Sequence, residues 1–229
     1  MRDVAANYRS VRQEIDTAAS ACGRDPQEIL LLAVSKTMPE DDIMTLYKNG
    51  VRDFGENRIQ ELERKAAALP DDIIWHFIGP LQSNKIRKAV KLASVIHSVE
   101  DIAAVERLDR IAGEEQTTVK FLIEVNVSGE ASKGGVAPVD FMTVARAASE
   151  CRHAVFSGLM TMAPFDAPQE VLSGVFNGLS TLREHAEKEL GITLPILSMG
   201  MSGDYHAAIA AGSTIVRVGT AIFGKSSAV

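Results

Sequence analysis

The chain has 229 residues, a length that suits one α/β barrel or one to two ordinary domains. Lys and Arg number 24 against 30 Asp and Glu, and the net charge of −6 disfavours a nucleic-acid binder, which needs a basic footprint. Hydrophobic residues make up 46% but aromatic residues only 5%, so the core must be built mainly from Leu, Ile, Val and Ala.

Cysteine usage and the N-terminus indicate a compartment. Cys22 and Cys151 share no metal-ligand spacing and form no disulfide framework, so we expect buried free thiols in a reducing environment. The charged N-terminus, with Arg2, Asp3 and Arg9, is unlike a signal peptide, and no apolar run approaches the roughly 20 residues of a membrane span. We therefore expect a soluble cytoplasmic protein that binds no membrane and no metal.

In chain order, the first predicted element is an amphipathic helix that ends before Gly23. Its apolar residues recur at steps of three and four: Val4, Tyr8, Val11, Ile15, Ala18 and Cys22. Because this helix precedes the first predicted strand, we interpret it as an added element that covers one end of a barrel or sheet.

The first predicted strand lies in residues 29–37, Ile-Leu-Leu-Leu-Ala-Val-Ser-Lys-Thr. Its apolar run stops at Ser35 and Lys36, which is typical of a strand buried on both faces of a parallel sheet. A lysine at the rim of a packed interior is desolvated, which favours the neutral amine, the nucleophile that forms Schiff bases with aldehydes. The alternative is that Lys36 packs its stem on the strand end and extends its ammonium into solvent.

Seven further strand–helix units follow. Strands are predicted at residues 51–54, 73–78, 94–97, 118–127, 154–159, 194–197 and 213–218. Helices are predicted at residues 39–48, 58–69, 83–91, 99–112, 138–150, 168–190 and 205–211, with a turn or short helix at 219–224. Gly113 is expected to end the 99–112 helix, and Gly174 and Gly178 leave the continuity of the 168–190 helix open.

Strict alternation predicts a parallel sheet with right-handed crossovers, and eight units in this length favour a single (β/α)8 TIM barrel over residues 1–229. A doubly wound open sheet is the alternative, disfavoured because no G-x-G-x-x-G follows any strand. In such a barrel the functional site lies at the C-terminal ends of the strands. Polar residues and glycines collect at those ends: Lys36, Glu56, Asn57, His76, Gly79, Ser98, Asn126, Thr161, and residues 198–202 and 217–220.

Two stretches predict a phosphate site. Residues 198–203 (Ser-Met-Gly-Met-Ser-Gly) and 217–220 (Arg-Val-Gly-Thr) follow strands seven and eight, where barrels commonly bind phosphate. Glycines let the backbone approach the anion, while hydroxyl and backbone N–H groups donate hydrogen bonds. The alternative is ordinary turn chemistry at helix boundaries.

A Schiff-base lysine together with a phosphate site is what pyridoxal 5′-phosphate requires. A class I aldolase would also use a lysine and a phosphate site, but it would need an acid–base partner beside the lysine, and none is obvious.

Several motifs make the chain similar to a known family. They are residues 33–37 (Ala-Val-Ser-Lys-Thr), 54–57 (Phe-Gly-Glu-Asn), 75–85 (Trp-His-Phe-Ile-Gly-Pro-Leu-Gln-Ser-Asn-Lys), 158–160 (Gly-Leu-Met), 197–202, 216–220 and 222–224. Spanning nearly the whole chain, they resemble the pyridoxal-phosphate homeostasis proteins (the PROSC-like family), which share the barrel of the cofactor domain of alanine racemase. One departure is the segment Lys133-Gly134-Gly135, where the family leads us to expect serine in the middle.

The resemblance implies a pyridoxal-phosphate barrel of fold type III with an extra N-terminal helix. It implies that Lys36 carries the cofactor as an internal aldimine and that Arg217 faces the pyridine nitrogen. The implied phosphate ligands are Ser202, Gly219 and Thr220, with Ser198 as a helper. The other implied pocket residues are Asn57, His76 and Met199.

The resemblance further implies a protein that holds pyridoxal phosphate for intracellular homeostasis and delivery to apo-enzymes. The alternative is an amino-acid racemase. Racemases that resemble this barrel carry a second β domain and use a tyrosine base supplied across a dimer. Here only residues 225–229 follow the last motif, and Tyr8, Tyr47 and Tyr205 suit packing roles. An interaction scaffold without cofactor conflicts with the retained Lys36. No heptad or large apolar stripe demands a dimer, so we expect a monomer.

Overall fold

Eight parallel strands close into a barrel in the computed structural model, which describes residues 3–130 and 133–224. The strands are β1 (Leu30–Val34), β2 (Asp53–Glu56), β3 (Ile74–Phe77), β4 (Val95–Val99), β5 (Val119–Glu124), β6 (Ala154–Met160), β7 (Ile196–Ser198) and β8 (Ile215–Val218). Each strand pairs with the next along the chain, and β8 pairs with β1, with Ile215 opposite Leu30. The predicted (β/α)8 barrel is confirmed.

Helices form the layer outside the strands. They are α1 (Val4–Ala21), α2 (Glu40–Lys48), α3 (Ile59–Ala68), α4 (Ile86–Leu92), α5 (Ile102–Glu114), α6 (Phe141–Ser149), α7 (Gln169–Leu190), α8 (Tyr205–Ala210) and α9 (Thr220–Phe223), with 3₁₀ turns at Pro26–Glu28 and Ser83–Lys85. The additional helix α1 packs against α2, α8 and α9. Of the helices in the described ranges, none is both long and apolar enough to cross a membrane. Residues 131 and 132, between β5 and α6, lie outside the described ranges, as do residues 225–229. The expected burial of both thiols is wrong, because Cys22 is exposed and Cys151 is half-buried.

The predicted start of α6, residue 138, is three residues early, because the helix begins at Phe141. The bounds predicted for α5 are wrong at both ends. Strand β4 continues to Val99, because Val99 pairs with Ile123 of β5, and the helix begins only at Ile102. The Asp101 carboxylate accepts a hydrogen bond from the Ala104 N–H at 2.6 Å, which satisfies a donor that the first helical turn leaves unpaired. At the other end the helix continues through Gly113 to Glu114.

The long helix α7 is continuous through both of its glycines. At Gly178 the small residue has a packing reason, because a Cβ atom there would lie 2.8 Å from Cγ1 of Val127. The helix ends at Gly191, whose φ of 64° is the left-handed conformation common after a helix C-terminus.

Strands buried on both faces explain the uninterrupted apolar runs in the sequence. The larger part of the core includes fully buried aromatic residues such as Phe54, Phe77 and Phe176. A small separate cluster on β4, β5 and β6 consists of Val95, Leu122 and Met160. The barrel also encloses buried polar side chains, which are described with the functional site.

A buried ion pair fixes the end of β1. The Lys65 ammonium, on α3, donates to Glu56 Oε1 at 2.6 Å and to the Ser35 carbonyl at 2.8 Å, and both charged side chains have no solvent exposure. The Ser35 hydroxyl donates to the same Glu56 oxygen at 2.7 Å. Burial raises the pKa of Glu56, while Lys65 and the Ser35 hydroxyl oppose the shift. The residue before Lys36 is therefore held by two elements at once.

We expect Lys65→Met to lower the free energy of unfolding by about 3–5 kcal/mol, because it leaves the Glu56 carboxylate buried without a cationic partner. The matched control is Lys88→Met, which removes an exposed pair with Glu63 and should cost no more than about 1 kcal/mol. Urea unfolding measures both. A double variant, Lys65→Met with Glu56→Gln, should recover much of the loss; a loss in Lys65→Met no larger than in Lys88→Met would contradict this role.

Candidate cofactor site

A cavity of about 580 Å³ lies at the C-terminal ends of the strands. It is bordered by residues of β1, β6 and β8 and by the segments that follow β1, β2, β3, β6, β7 and β8. Six of the residues that sequence analysis assigned to the site border it: Lys36, Asn57, Ser202, Arg217, Gly219 and Thr220. The structure thus brings the predicted lysine, arginine and hydroxyl groups to one cavity.

Lys36 lies two residues beyond the last residue of β1 and is exposed. The expected desolvation of this residue is therefore wrong in this structure, because the chain has already left the packed strand at the rim. Its position is nevertheless fixed from both sides, by Ser35 and by Thr37, whose N–H donates to Glu61 Oε2 at 2.9 Å. Thr37 has a φ of 62°, a strained conformation for a β-branched residue. The surrounding contacts thus impose the direction of the chain at Lys36.

Arg217, the third residue of β8, presents a buried guanidinium at the cavity. Its Nη1 donates to the carbonyl and the hydroxyl of Ser198, both at 2.7 Å, and its Nη2 donates to the Thr161 carbonyl at 3.0 Å. Burial lowers the pKa of Arg217 to about 10, and Glu124 and Asp204 oppose this shift. The group therefore remains a cation at neutral pH.

Two acidic side chains lie in the electrostatic field of Arg217. Burial raises the pKa of Glu124, at the end of β5, to about 7; Arg217 opposes this shift and Glu100 adds to it. Burial also raises the pKa of Asp204. Each carboxyl thus responds mainly to its own desolvation, although a permanent cation is nearby.

The loop between β7 and α8 is a preorganised turn. The Asp204 carboxylate accepts a hydrogen bond from the Met201 N–H, and the Asp204 N–H donates to the Met201 carbonyl at 3.1 Å. Gly200 has a φ of 95°, and a Cβ atom there would lie 2.7 Å from the Cβ of Ala208. The exposed hydroxyls of Ser202 and Thr220 form no hydrogen bond with any other residue of the described ranges, so both are free to bind a ligand.

Three other residues that sequence analysis assigned to the site do not border the cavity. His76 and Ser198 are buried and hydrogen-bonded to other side chains. Met199 is fully buried in the main hydrophobic core. Position at a strand end does not reveal how deep a side chain lies or toward which face it points, and both decide contact with the cavity.

Sequence analysis did not assign the segment between β6 and α7 to the site. Its residues Met162, Pro164, Phe165, Asp166 and Ala167 form a wall of the cavity, and the Phe165 side chain is 98% exposed. Only Thr161 was singled out there. The available signal was the place of this segment directly after the C-terminal end of a strand, together with an apolar composition unusual for a surface loop.

Fold and site together define a class: a parallel barrel with a lysine just past its first strand and glycine- and hydroxyl-bearing loops after its last two. The family model described as alanine racemase, N-terminal domain, matches residues 4–227. The chain is 41% identical over 225 residues to the pyridoxal phosphate homeostasis protein of Pseudomonas aeruginosa. The match covers 98% of this chain and 96% of that protein. The chain belongs to the alanine racemase N-terminal-domain family and, within it, to the pyridoxal phosphate homeostasis proteins.

Solved structures agree with this placement. PipY of Synechococcus elongatus PCC7942, with PLP bound, is 38% identical, has a TM-score of 0.82, and the match covers 92% of this chain and all of that one. An alanine racemase of Clostridium difficile 630 is 14% identical with a TM-score of 0.76; the match covers 97% of this chain but 58% of the racemase. At that identity the second likeness is one of fold alone.

The raised pKa of Glu124 predicts a pH-dependent stability. The carboxyl ionises near 4.5 when unfolded and near 7 when folded, so the folded state holds an extra proton between these values. Rising pH in this window should therefore destabilise the wild type by up to about 1.4 kcal/mol per pH unit relative to Glu124→Gln.

Urea unfolding across this window tests the prediction. Glu106→Gln, on the exposed side of α5, is the control and should retain the slope of the wild type. If Glu124→Gln and the wild type show the same pH dependence, the buried carboxyl is not the titrating group.

Proposed function

We propose that this chain binds pyridoxal 5′-phosphate, holds it as a Schiff base on Lys36, and takes part in its intracellular homeostasis and delivery without acting as an enzyme. The observation that carries this proposal is that Lys36, Arg217 and the free hydroxyls of Ser202 and Thr220 all border one cavity. The names of the relatives and the PLP-bound state of PipY support the same ligand.

The chemistry of the lining residues fits the three functional groups of this cofactor. The Lys36 amine suits the aldehyde, and the Ser202 and Thr220 hydroxyls, with Gly219 between β8 and α9, suit the phosphate. Arg217 uses only part of its N–H donors within the protein, so it can donate a hydrogen bond to the ring nitrogen of the cofactor, which accepts it. When bound, the cofactor supplies an electron sink, whereas the protein supplies orientation and electrostatics.

Two features favour a carrier over a racemase. A permanent cation at the ring nitrogen opposes ring protonation by like-charge repulsion, and an unprotonated ring is the weaker electron sink. None of the three tyrosines borders the cavity, and the hydroxyl of each donates elsewhere: Tyr8 to the Leu31 carbonyl, Tyr47 to Asp72 and Tyr205 to Glu14. A tyrosine base supplied by this chain to its own cavity is therefore lacking.

We propose that the protein works in the cytoplasm as a monomer of one domain, and that apo-enzymes receive the cofactor from it. The position of the cavity at the rim of the barrel, with the exposed Lys36, supports transfer to a recipient.

The Schiff base predicts a visible absorption band. Wild-type protein incubated with pyridoxal phosphate should be yellow, and Lys36→Ala should lose the band because no other lysine among residues 3–130 and 133–224 borders the cavity. The matched control is Lys48→Ala, an exposed lysine in the last turn of α2, which should keep the band. A wild type that stays colourless would refute the proposal.

The phosphate site predicts discrimination between ligands. Pyridoxal, which lacks the phosphate, should bind orders of magnitude more weakly than pyridoxal phosphate, because several charge-assisted hydrogen bonds are lost at about 1.5–3 kcal/mol each. Ser202→Ala and Thr220→Val should each weaken pyridoxal phosphate by roughly tenfold or more and leave pyridoxal unchanged. Titrations with both ligands, with Ser149→Ala on α6 as the control, measure this. Equal affinity for the two ligands would exclude the phosphate site.

A chiral assay over common L-amino acids separates carrier from racemase. We expect neither racemisation nor transamination at useful rates, with Lys36→Ala as the blank, because Arg217 weakens the electron sink and the cavity lacks a tyrosine base. Turnover near the enzyme median of about 10 s⁻¹ on any amino acid would contradict the carrier and restore the racemase.

A further inference from the structure

A series of hydrogen-bonded polar side chains begins at the buried Arg217, crosses the inside of the barrel and ends at the half-buried Asp53. Arg217 Nη1 donates to Ser198 Oγ at 2.7 Å, and Ser198 Oγ lies 2.9 Å from His97 Nδ1. His97 Nε2 lies 2.9 Å from His76 Nδ1, and His76 Nε2 lies 3.1 Å from Asp53 Oδ1. Because β4 and β7 are not neighbours in the closed barrel, the contact between His97 and Ser198 spans its interior.

Both ends of this series dictate the same direction for its hydrogen bonds. The Asp53 carboxylate only accepts, so a neutral His76 carries its proton on Nε2, which makes its Nδ1 an acceptor. His97 must then carry its proton on Nε2 and accept from Ser198 at Nδ1. At the other end Arg217 only donates, so the Ser198 oxygen accepts from it and the Ser198 O–H donates to His97 Nδ1. Burial, His76 and Arg217 together hold the pKa of His97 well below its ordinary value, which keeps it neutral.

This series of hydrogen bonds matters because Arg217 is a buried cation. Its guanidinium forms no direct ion pair with a carboxylate in residues 3–130 and 133–224; its partners are Ser198 and the Thr161 carbonyl. Glu124 and Asp204 act on Arg217 only through space, and burial disfavours the ionised form of both carboxyls. A buried charge with so little compensation is costly. Hydrogen bonds in series polarise one another, so the negative charge of Asp53 makes each group along the series a better acceptor, up to the Ser198 hydroxyl oxygen that accepts from Arg217.

We propose that Asp53, His76, His97 and Ser198 form a directed hydrogen-bond relay that positions Arg217 and supplies it with a distant counter-charge. The relay moves no proton; it fixes the rotamer of the arginine and keeps its remaining donors turned to the cavity. Asp53 is the first residue of β2, whereas the cavity lies at the opposite ends of the strands, so the relay links the two ends of the barrel. This inference rests on the proposed function. In it, each of the four relay residues is a positioning residue, which acts on the ring nitrogen of the cofactor through Arg217.

The relay itself is tested without any ligand. Histidine labelled with ¹⁵N in the purified wild type should give both His76 and His97 as neutral rings protonated on Nε2 alone. A proton on Nδ1 of either ring, or an imidazolium at either position at neutral pH, would overturn the directed chain. This outcome does not depend on pyridoxal phosphate.

The effect of the relay on the site is tested with Asp53→Asn, which keeps an acceptor for His76 but removes the charge. The probes are pyridoxal phosphate and an analogue in which a C–H group replaces the ring nitrogen. We expect Asp53→Asn to weaken pyridoxal phosphate by about tenfold and to change the analogue by less than about twofold. Asp71→Asn, in the exposed turn before β3, is the matched control and should change neither.

The other possible results distinguish failure of the relay from failure of the proposed placement of Arg217. If Asp53→Asn weakens both ligands equally or neither, the relay does not act through the ring nitrogen, and the inference is wrong. If the wild type already binds the two ligands equally, the proposed placement of Arg217 at the ring fails instead. Ser198→Ala, which cuts the relay next to Arg217, repeats the test should Asp53→Asn fold poorly, with the same expectation for both ligands.

Discussion

Closure of the parallel sheet is the constraint from which the rest of this molecule follows. Pairing of β8 with β1 leaves no unpaired edge and places all eight C-terminal strand ends on one rim. Residues far apart in the chain, such as Lys36 after β1 and Thr220 after β8, therefore border the same cavity. The barrel interior, in contrast, is narrow enough that single side chains from β4 and β7 meet across it.

Charges are buried where they position functional residues. The Glu56–Lys65 pair is fully enclosed and holds Ser35, while Glu61 holds Thr37, so the backbone on both sides of Lys36 is fixed. Buried ion pairs contribute little net stability compared with apolar residues of similar volume, because desolvation offsets their attraction. Their value here is geometric: an exposed, flexible lysine side chain begins from a backbone position that cannot shift.

Much of this fold was predictable, whereas the depth and partners of side chains were not. Strands buried on both faces are apolar runs whose ends are marked by polar residues and glycine, so counting strands and finding the rim needs only local signals. Val99 shows where local signals fail: the sequence around it is typical of the start of a helix, and only its pairing with Ile123 of β5 places it in a strand. His76 and Ser198 lie near strand ends but make contacts with His97 that depend on strand stagger around the barrel, which no local pattern encodes.

The central claim is that Lys36, among the lysines of this acidic protein, carries the cofactor. The most direct measurement is reduction of the complex with borohydride, which converts a Schiff base into a stable bond, followed by proteolysis and mass spectrometry of the peptides. The account predicts one molar equivalent of reduced cofactor, found on the peptide that contains Lys36. Label spread over exposed lysines, such as Lys48 and Lys88, with Lys36 unmodified, would contradict it.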